Sequence, residues 1–276
     1  MTYATAQDGT QLYYKDWGHG DPVVLLHGWP LTGDTFDDAA VALVEAGKRC
    51  IIPDRRGFGR SEQPWDGHDY DTYAEDVAAI LEHAGITGPV ALVGFSMGGG
   101  EVARYLTKYG AQRVSKAVLI SAVVPYMLQT SDNPNGVPKS TFDEMTAGMT
   151  KDRAHFFTGF LRDFYGVGMM SAPVSEEVLT NSWRQTMLAG LRPTLAAAQA
   201  FATTDFRPDM KSFGVPTLII HGTEDKTVPI DATAREAARA IPQAELVEYQ
   251  GSAHGVFASD KDRLIADLLR FLADQG

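Results

Sequence analysis

The sequence lacks the features that secreted and membrane proteins usually carry. Cys50 is the only cysteine, so no disulfide can form within the chain, and a reducing compartment is favoured. No apolar stretch reaches the ~18 residues that a membrane-spanning helix needs. The N-terminal residues also lack the basic region and apolar run of a signal peptide. We therefore expect a cytoplasmic protein with no membrane association.

Positive charge is scarce as well. The chain has 24 Lys and Arg residues against 35 Asp and Glu residues, which gives a net charge of −11. A surface of this sign is repelled by the phosphate backbone of nucleic acids and by anionic membranes. Nucleic acid is therefore not an expected partner, and we expect small molecules instead.

The sequence has no clear signal for a cofactor or a metal. Gly98-Gly99-Gly100 does not extend to the G-x-G-x-x-G pattern of dinucleotide sites. The arginine-rich segment 55–61 lacks the lysine context of a P-loop, so we interpret it as a structural turn. No group of histidines and carboxylates has the spacing of metal ligands. We expect neither a cofactor nor a metal.

What the sequence does contain is an alternation of apolar and amphipathic segments over 276 residues. Strands with near-continuous apolar character that alternate with helices predict an α/β protein, with a mostly parallel, twisted sheet covered by helices on both faces. Asp8-Gly9 lies between two strand-like segments and predicts an opening hairpin. The predicted strands are 22–26, 49–53, 89–95, 117–121, 215–221 and 245–249, and the predicted helices are 36–46, 72–84, 97–109, 231–240 and 261–273.

The alternation stops between about residues 123 and 213, where prolines and helical patches rich in Phe and Met replace it. We predict a core formed by residues 1–122 and 213–276 and a helical cap formed by residues 123–212. Such an insertion would cover the carboxyl edge of the sheet, where open α/β sheets bind ligands. We expect Val124, Phe160 and Val256 to line an apolar pocket there. The other large apolar residues singled out in the cap, mostly as its core, are Phe156, Phe157, Phe164, Tyr165, Met169, Met170 and Trp183.

The most informative motif is Gly94-Phe95-Ser96-Met97-Gly98, which reads G-x-S-x-G and follows an apolar run. This pattern predicts a sharp turn from a strand into a helix, with the serine hydroxyl held above the end of the sheet. A serine hydroxyl is a weak nucleophile near neutral pH, and it needs a base that is itself oriented by an acid. Ser96 is therefore the predicted nucleophile.

The base and the acid should follow Ser96 in the order acid, then histidine. Only His254 follows every plausible acid beyond the fifth strand, and it lies in a loop of small residues. Histidine, with an unperturbed pKa of ~6.5, suits proton transfer near neutrality. Glu224 and Asp225 both lie just after the fifth strand, and spacing leaves the choice between them open. Asp231 is interpreted as the cap of the next helix.

A tetrahedral oxyanion needs N–H donors that are already in position. Met97 would supply one of them at the start of a helix. The second should come from the loop His27-Gly28-Trp29-Pro30; because proline has no N–H, Trp29 is the predicted donor. Trp29 can also serve as a packing aromatic, and the two roles are compatible.

Several segments together resemble the α/β-hydrolases known as cofactor-free, or non-haem, haloperoxidases, which are also described as aryl esterases or perhydrolases. The likeness runs over nearly the whole chain and implies the α/β-hydrolase fold. It also implies Ser96 as nucleophile, Asp225 rather than Glu224 as acid, and His254 as base. The matching segments are HGWP (27–30), DRRGFGRS (54–61), GFSMGGGEVARY (94–105), FRPDM (206–210), PTLIIHG (216–222) and AHG (253–255).

The resemblance further implies a cofactor-free enzyme that acts on small carboxylic esters or acids, with Trp29 and Met97 as oxyanion donors. The acyl group would pass to water or to hydrogen peroxide, and the resulting peracid could oxidise halides. Relatives that favour peroxide tend to have proline beside the oxyanion tryptophan, so Pro30 is predicted to influence the choice of acceptor. Relatives are also often homo-oligomers, and we expect the same here.

Other functions remain to be weighed against this one. A lactone or γ-lactam hydrolase would use the same three residues. A ligand receptor on a hydrolase scaffold would bind without turnover. Haloalkane dehalogenases and epoxide hydrolases are similar along the sheet but carry Asp at the turn, and Ser96 argues against both.

Overall fold

The computed structural model describes residues 2–168 and 171–273. Met169 and Met170, two of the predicted cap residues, lie outside the described residues. The described chain forms an eight-stranded sheet in the order β1-β2-β4-β3-β5-β6-β7-β8. The strands are β1 (Thr2–Thr5), β2 (Gln11–Gly18), β3 (Asp21–Leu26), β4 (Lys48–Pro53), β5 (Val90–Phe95), β6 (Val114–Ile120), β7 (Thr217–Gly222) and β8 (Ala244–Tyr249).

The sheet is mostly parallel, with an antiparallel edge. β1 pairs with β2 and β2 with β4 in antiparallel fashion, which includes the predicted opening hairpin. From β4 to β8 every pairing is parallel; in the middle, Val24 of β3 lies opposite Ile51 of β4 and Leu92 of β5. Six strands were predicted as apolar runs, and each is present within a few residues of its predicted bounds.

Alternation along the strands creates two apolar cores, one on each face. Val23 and Leu25 of β3 enter one core, whereas Val24 and Leu26 enter the other. This is what the two-residue period of a strand requires when helices cover both faces. The predicted fold class is therefore confirmed.

Nine α-helices occur in the described residues. α2 and α3 pack on one face through residues such as Val77 and Val102, and α1 and α9 pack on the other through residues such as Leu43 and Leu268. They are α1 (Asp37–Glu45), α2 (Tyr70–His83), α3 (Met97–Tyr109), α4 (Lys139–Phe164), α5 (Glu176–Leu188), α6 (Leu191–Thr203), α7 (Ala234–Ala240), α8 (Val256–Ser259) and α9 (Lys261–Leu272). None of the helices within the described ranges is both long and apolar enough to cross a membrane.

The three helices α4, α5 and α6 lie between β6 and β7, in the region predicted as a cap. α4 is interrupted at Asp152, whose carboxylate accepts a hydrogen bond of 2.9 Å from the backbone N–H of His155. This is the geometry of an N-cap, so the second half of α4 starts there as a new helix. The division of the chain at residues 123 and 212 stays a prediction.

One local expectation was wrong. Asp231 does not cap the helix after β7, because α7 begins only at Ala234 and follows Thr233. Asp231 instead forms a surface ion pair of 2.7 Å with Arg235. A carboxylate near a helix start can bind an arginine as well as a backbone N–H, and spacing does not separate these outcomes.

The arginine-rich segment 55–61 lies in internal ion pairs. Arg56 bonds Asp76 on α2, and Arg60 bonds Asp54, each at 2.6 Å. These contacts tie the turn after β4 to the core.

The sheet topology defines where a ligand can approach. The chain leaves β3 towards β4 on one side, and the later strands add from β5 on the other side. The strand order therefore reverses between β3 and β5, and a crevice opens there beyond their carboxyl ends.

Candidate active site

Ser96 lies at a sharp bend between β5 and α3, beside this crevice. Its backbone φ is +53°, a left-handed conformation that non-glycine residues rarely adopt. A side chain at Gly94 would run into the backbone of Gly98, and one at Gly98 would strike the carbonyl oxygen of Leu26. The glycines of the G-x-S-x-G pattern therefore let α3 begin directly against the sheet.

The structure brings Ser96, His254 and Asp225 together. The Ser96 hydroxyl lies 2.9 Å from His254 Nε2, and His254 Nδ1 lies 2.6 Å from Asp225 Oδ2. Because a carboxylate only accepts, the imidazole proton belongs on Nδ1, and Nε2 accepts from the hydroxyl. Phe95 and Phe164 flank the His254 ring at centroid distances of 5.1 and 4.7 Å. A serine hydroxyl held in this way has a base within reach of its proton.

The two acids that spacing left open have different surroundings. Glu224 is exposed, whereas Asp225 is buried. Burial alone would raise the pKa of Asp225, but the imidazoles of His254 and His221 outweigh it and hold that pKa well below its usual range. Asp225 is therefore an ionised carboxylate in contact with the histidine.

A further histidine in this cluster was not assigned a role from the sequence. His221 Nε2 lies 3.2 Å from Asp225 Oδ2 and 2.8 Å from the carbonyl oxygen of Val228. The available signal was its position at the end of β7, in the same short turn as the acid.

The loop after β3 passes directly by Ser96. A Cβ added to Gly28 would lie 3.0 Å from the Cβ of Ser96, which explains why glycine occupies this position. The next residue, Trp29, and the first residue of α3, Met97, carry backbone N–H groups that have no acceptor among the described residues. The Trp29–Pro30 peptide bond is cis.

A buried network joins this loop to α3. His27 Nε2 accepts from the backbone N–H of Arg55, and His27 Nδ1 donates to the carbonyl of Gly28, each at 2.9 Å. The Arg55 guanidinium donates to the His27 carbonyl at 2.5 Å and to the Glu101 carboxylate on α3. Burial, with the nearby charge of Arg55, holds the pKa of His27 well below its usual range. Because α3 also carries Met97, the Arg55–Glu101 pair links the two unpaired N–H groups.

The Trp29 side chain connects the same loop to the cap helices. Its Nε1 donates to the carbonyl of Thr194 on α6 at 3.0 Å. Its ring packs against Phe157, Phe160 and Phe201, each at a centroid distance of 5.4 Å. Trp29 thus has the packing role that the sequence allowed.

A cavity of about 650 Å³ lies beside α4 and α6, and Ser96 is in its wall. The wall is mainly aromatic and aliphatic, with charged side chains from Asp163 and Lys226. Its lining residues are Trp29, Ser96, Val123, Val137, Thr141, Phe142, Met145, Phe156, Gly159, Phe160, Asp163, Phe201, Lys226, Thr227 and Val228.

Of the three predicted pocket residues, Phe160 lies in this wall and the other two do not. Val123 lines the cavity, while Val124 is buried in the core on the α2–α3 face. Val256 is fully buried in the opposite core, at the start of α8.

Within residues 2–168 and 171–273, no cluster of three or more His, Cys, Asp and Glu side chains is arranged to hold a metal ion. The polar groups around Ser96 bond to one another instead. The expectation that no metal or cofactor takes part stays a prediction.

Comparison with known proteins relates the whole arrangement to one family. Residues 21–261 match the family described as alpha/beta hydrolase fold. A non-heme haloperoxidase of Rhodococcus erythropolis is 44% identical over 99% of both chains, and a bifunctional esterase/perhydrolase of Acinetobacter calcoaceticus is 43% identical over 99% of both chains. The crystal structure of a bromoperoxidase from Bacillus anthracis superposes with a TM-score of 0.94 at 42% identity and covers 99% of this chain and 100% of the other.

Proposed function

Because the chain belongs to the α/β-hydrolase family, among the non-heme haloperoxidases and esterase/perhydrolases, we propose that it hydrolyses small carboxylic esters through an acyl-enzyme and also forms peracids. The alcohol side of the ester would be aryl or of similar size. The observation that carries the proposal is the hydrogen-bonded series from Ser96 Oγ through His254 to Asp225.

In the proposed first half-reaction, Ser96 Oγ attacks the ester carbonyl carbon while His254 Nε2 takes the hydroxyl proton. The carbonyl oxygen becomes an oxyanion, which the N–H groups of Trp29 and Met97 stabilise. The intermediate then breaks its bond to the alcohol oxygen, and His254 returns the proton to that leaving group. Asp225 stays ionised and holds the imidazole in the required tautomer. The product of this half is an ester of Ser96.

In the second half-reaction, an acceptor O–H gives its proton to His254 and attacks the acyl carbon. Collapse of the intermediate returns the proton to Ser96 Oγ. With water the product is a carboxylic acid, and with hydrogen peroxide it is a peracid. A carboxylic acid can also acylate Ser96, with water as the leaving group. The peracid then oxidises bromide or chloride in solution, outside the protein.

Pro30 is proposed to bias the choice between the two acceptors. A proline restricts the backbone ψ of the residue before it. That restriction would direct the carbonyl of Trp29 towards the acyl carbon, where it accepts a hydrogen bond from peroxide.

The test is the Ser96→Ala variant, assayed for hydrolysis of an aryl acetate and for peracid formation from acetic acid and hydrogen peroxide. Both activities should be lost together, because both need the same acyl-enzyme. The matched control is Ser212→Ala, whose hydroxyl bonds Thr107 at the far end of α3, and it should retain both. If Ser96→Ala keeps either activity, the shared intermediate is refuted. Assay of the wild-type enzyme with a bicyclic lactam tests the alternative that it is a lactam hydrolase.

A further inference from the structure

His221 is a buried histidine that the mechanism above does not use, although it contacts the turn of the acid. It is the penultimate residue of β7, and its side chain is fully buried, as is that of Asp225. Its Nε2 faces two oxygens, the carbonyl of Val228 at 2.8 Å and Asp225 Oδ2 at 3.2 Å. His254 Nδ1 contacts the same Oδ2 at 2.6 Å. Two imidazoles therefore share one carboxylate oxygen.

The contacts fix the tautomer of His221. Both neighbours of Nε2 are acceptors, so Nε2 carries the hydrogen and donates it to the carbonyl of Val228, while Asp225 Oδ2 lies in electrostatic contact with the same N–H at 3.2 Å. Nδ1 is buried without a hydrogen-bond partner. A hydrogen on Nδ1 would be a buried donor without an acceptor, so the tautomer with its hydrogen on Nε2 fits this site. Unlike His254, it reaches no hydroxyl and cannot act as the base.

The remaining bonds of the acid come from its own turn. Asp225 Oδ1 accepts from the backbone N–H groups of Thr227 at 2.9 Å and Val228 at 2.8 Å. His221 closes this turn from the other side, since it bonds the carbonyl of Val228. It therefore restrains both the position of Asp225 and the loop whose members Thr227 and Val228 line the cavity.

We propose that His221 is a positioning residue, which holds Asp225 in place and draws part of its negative charge away from His254. This inference rests on the proposed function. The polar N–H of His221 beside Oδ2 draws on the negative charge of this oxygen and weakens it as an acceptor for the His254 N–H, so it tunes how strongly the protonated base is stabilised. Without that donor, the protonated form of His254 would be stabilised more, and its orientation would be less restrained.

The other charged groups around His221 do not replace it. Glu248 lies opposite His221 on β8, but its carboxylate bonds the Arg235 side chain at 2.8 Å. Lys226 follows Asp225 and is exposed at the cavity. On the β6 side the pairing ends with Ile120 opposite Ile220, and the hydroxyl of the next residue, Ser121, donates to the backbone carbonyl of His254 at 3.3 Å. Among the described residues, His254 and His221 are thus the two side chains within 4 Å of the Asp225 carboxylate that bring an N–H to it.

The experiment compares His221→Leu, which removes the donor, with His221→Gln, whose amide nitrogen reaches the place of Nε2, and His221→Asn, whose amide is too short. The control is His68→Leu, because His68 also bonds a backbone carbonyl, that of Pro64 at 2.9 Å, through Nε2 and also has a buried Nδ1 without a partner. Each variant is assayed with an aryl acetate for kcat and KM and for the pH profile of kcat/KM.

In His221→Leu we expect kcat to fall about tenfold with little change in KM, at the low end of what outer hydrogen-bond partners contribute in metal sites. The midpoint of the acidic limb should rise by roughly 0.5 pH unit. His221→Asn should resemble His221→Leu, and His221→Gln should recover most of both properties. His68→Leu should leave the midpoint in place.

The proposal is overturned if His221→Gln loses as much as His221→Asn, or if the acidic limb stays in place while kcat falls. It is also overturned if His68→Leu moves the limb equally. Should His221→Leu not fold, the contrast between the Gln and Asn variants decides. The low-field proton resonance of the His254–Asp225 hydrogen bond gives a readout without turnover: it should move downfield in His221→Asn relative to His221→Gln. Because this resonance does not depend on turnover, an inactive wild-type enzyme would reject the proposed function, and the role of His221 would still be decided by the resonance.

Discussion

At the scale of single residues, Ser96 stands out because its backbone conformation is strained. Its φ of +53° places a non-glycine residue in a sparsely populated region, which costs on the order of 1–3 kcal/mol. The hydrogen bond from its own N–H to the carbonyl of Ile120, at 2.8 Å, fixes the bend from the side of β6. Packing on both sides of the turn therefore offsets the strain and keeps the hydroxyl facing His254.

Pro30 carries a residue-scale prediction. In Pro30→Leu we expect the ratio of peracid formation to hydrolysis to fall several-fold, because the backbone of Trp29 loses the restriction imposed by the following ring. The ratio is measured from initial rates with one aryl ester, with and without hydrogen peroxide. Pro134→Leu, in an exposed loop before α4, is the control and should leave the ratio unchanged. An unchanged ratio in Pro30→Leu would leave the proline with a structural role alone.

Sequence and structure agree unevenly at this scale. The order of residues along the chain and the G-x-S-x-G pattern predicted Ser96 and His254, because few residue types can act as a nucleophile or as its base. The choice between Glu224 and Asp225 depended on burial, which spacing does not encode. Val124 and Val256 show the same limit, because the sequence does not determine whether an apolar side chain faces the pocket or the core.

At the scale of elements, the Arg55–Glu101 pair joins the loop after β3 to α3. Burial raises the pKa of Glu101 to about 7, in spite of the opposing effect of the Arg55 charge. In the unfolded chain the same group would have its ordinary pKa of ~4.3. Between these values the folded state holds a proton that the unfolded state has released. The stabilising contribution of Glu101 is therefore full below the unfolded value and is lost as the pH rises towards 7.

The resulting prediction concerns Glu101→Gln, which keeps the shape of the protonated acid. The free energy of unfolding of the wild type should fall between pH 5 and about 7, whereas that of the variant should not. The difference between them should therefore change in favour of Glu101→Gln by on the order of a few kcal/mol. Urea unfolding at pH 5, 6, 7 and 8 measures the difference. The control is Glu75→Gln, whose partner is Lys108 at the surface of α2 and α3. Parallel pH curves for wild type and Glu101→Gln would contradict the prediction.

The elements of the core were predictable because their residues repeat with a period. α2 carries Tyr73, Val77 and Ile80 on one face, and the apolar runs of β3 and β5 have the short length that favours buried strands over helices. The helices α4, α5 and α6 were not placed individually. α4 breaks at Asp152, and its Phe157 and Phe160 are ordered by Trp29 from another part of the chain. Such contacts are tertiary and leave no period in the sequence.

At the scale of the whole molecule, the site is assembled from distant segments at one point of the sheet. The loop after β3, the bend after β5, the turn after β7 and the loop after β8 meet where the strand order reverses. The order of the motifs along the chain predicted this meeting. The supporting bonds of His221 and Arg55 were not predicted, because a buried histidine or arginine has many possible partners and only the folded chain selects one.

The net charge of −11 gives the last prediction, which concerns substrates that carry a carboxylate of their own. Long-range repulsion should slow their approach at low ionic strength, and salt should relieve it, because the screening length falls from ~30 Å at 0.01 M to ~10 Å at 0.1 M. We expect kcat/KM for an anionic aryl half-ester to rise about two- to threefold over this range, while kcat/KM for a neutral aryl acetate stays constant.

The charged residues of the cavity wall supply matched controls for this effect. Lys226 and Asp163 are both exposed there and carry opposite charge. Lys226→Met removes the local attraction, so the rise with salt should become steeper for the anionic ester. Asp163→Asn removes a local repulsion, so the rise should become shallower. Initial rates at 0.01, 0.03 and 0.1 M salt measure both slopes. Equal salt responses for the anionic and neutral esters, or the opposite order of the two variants, would show that the charge of the molecule does not govern access to Ser96.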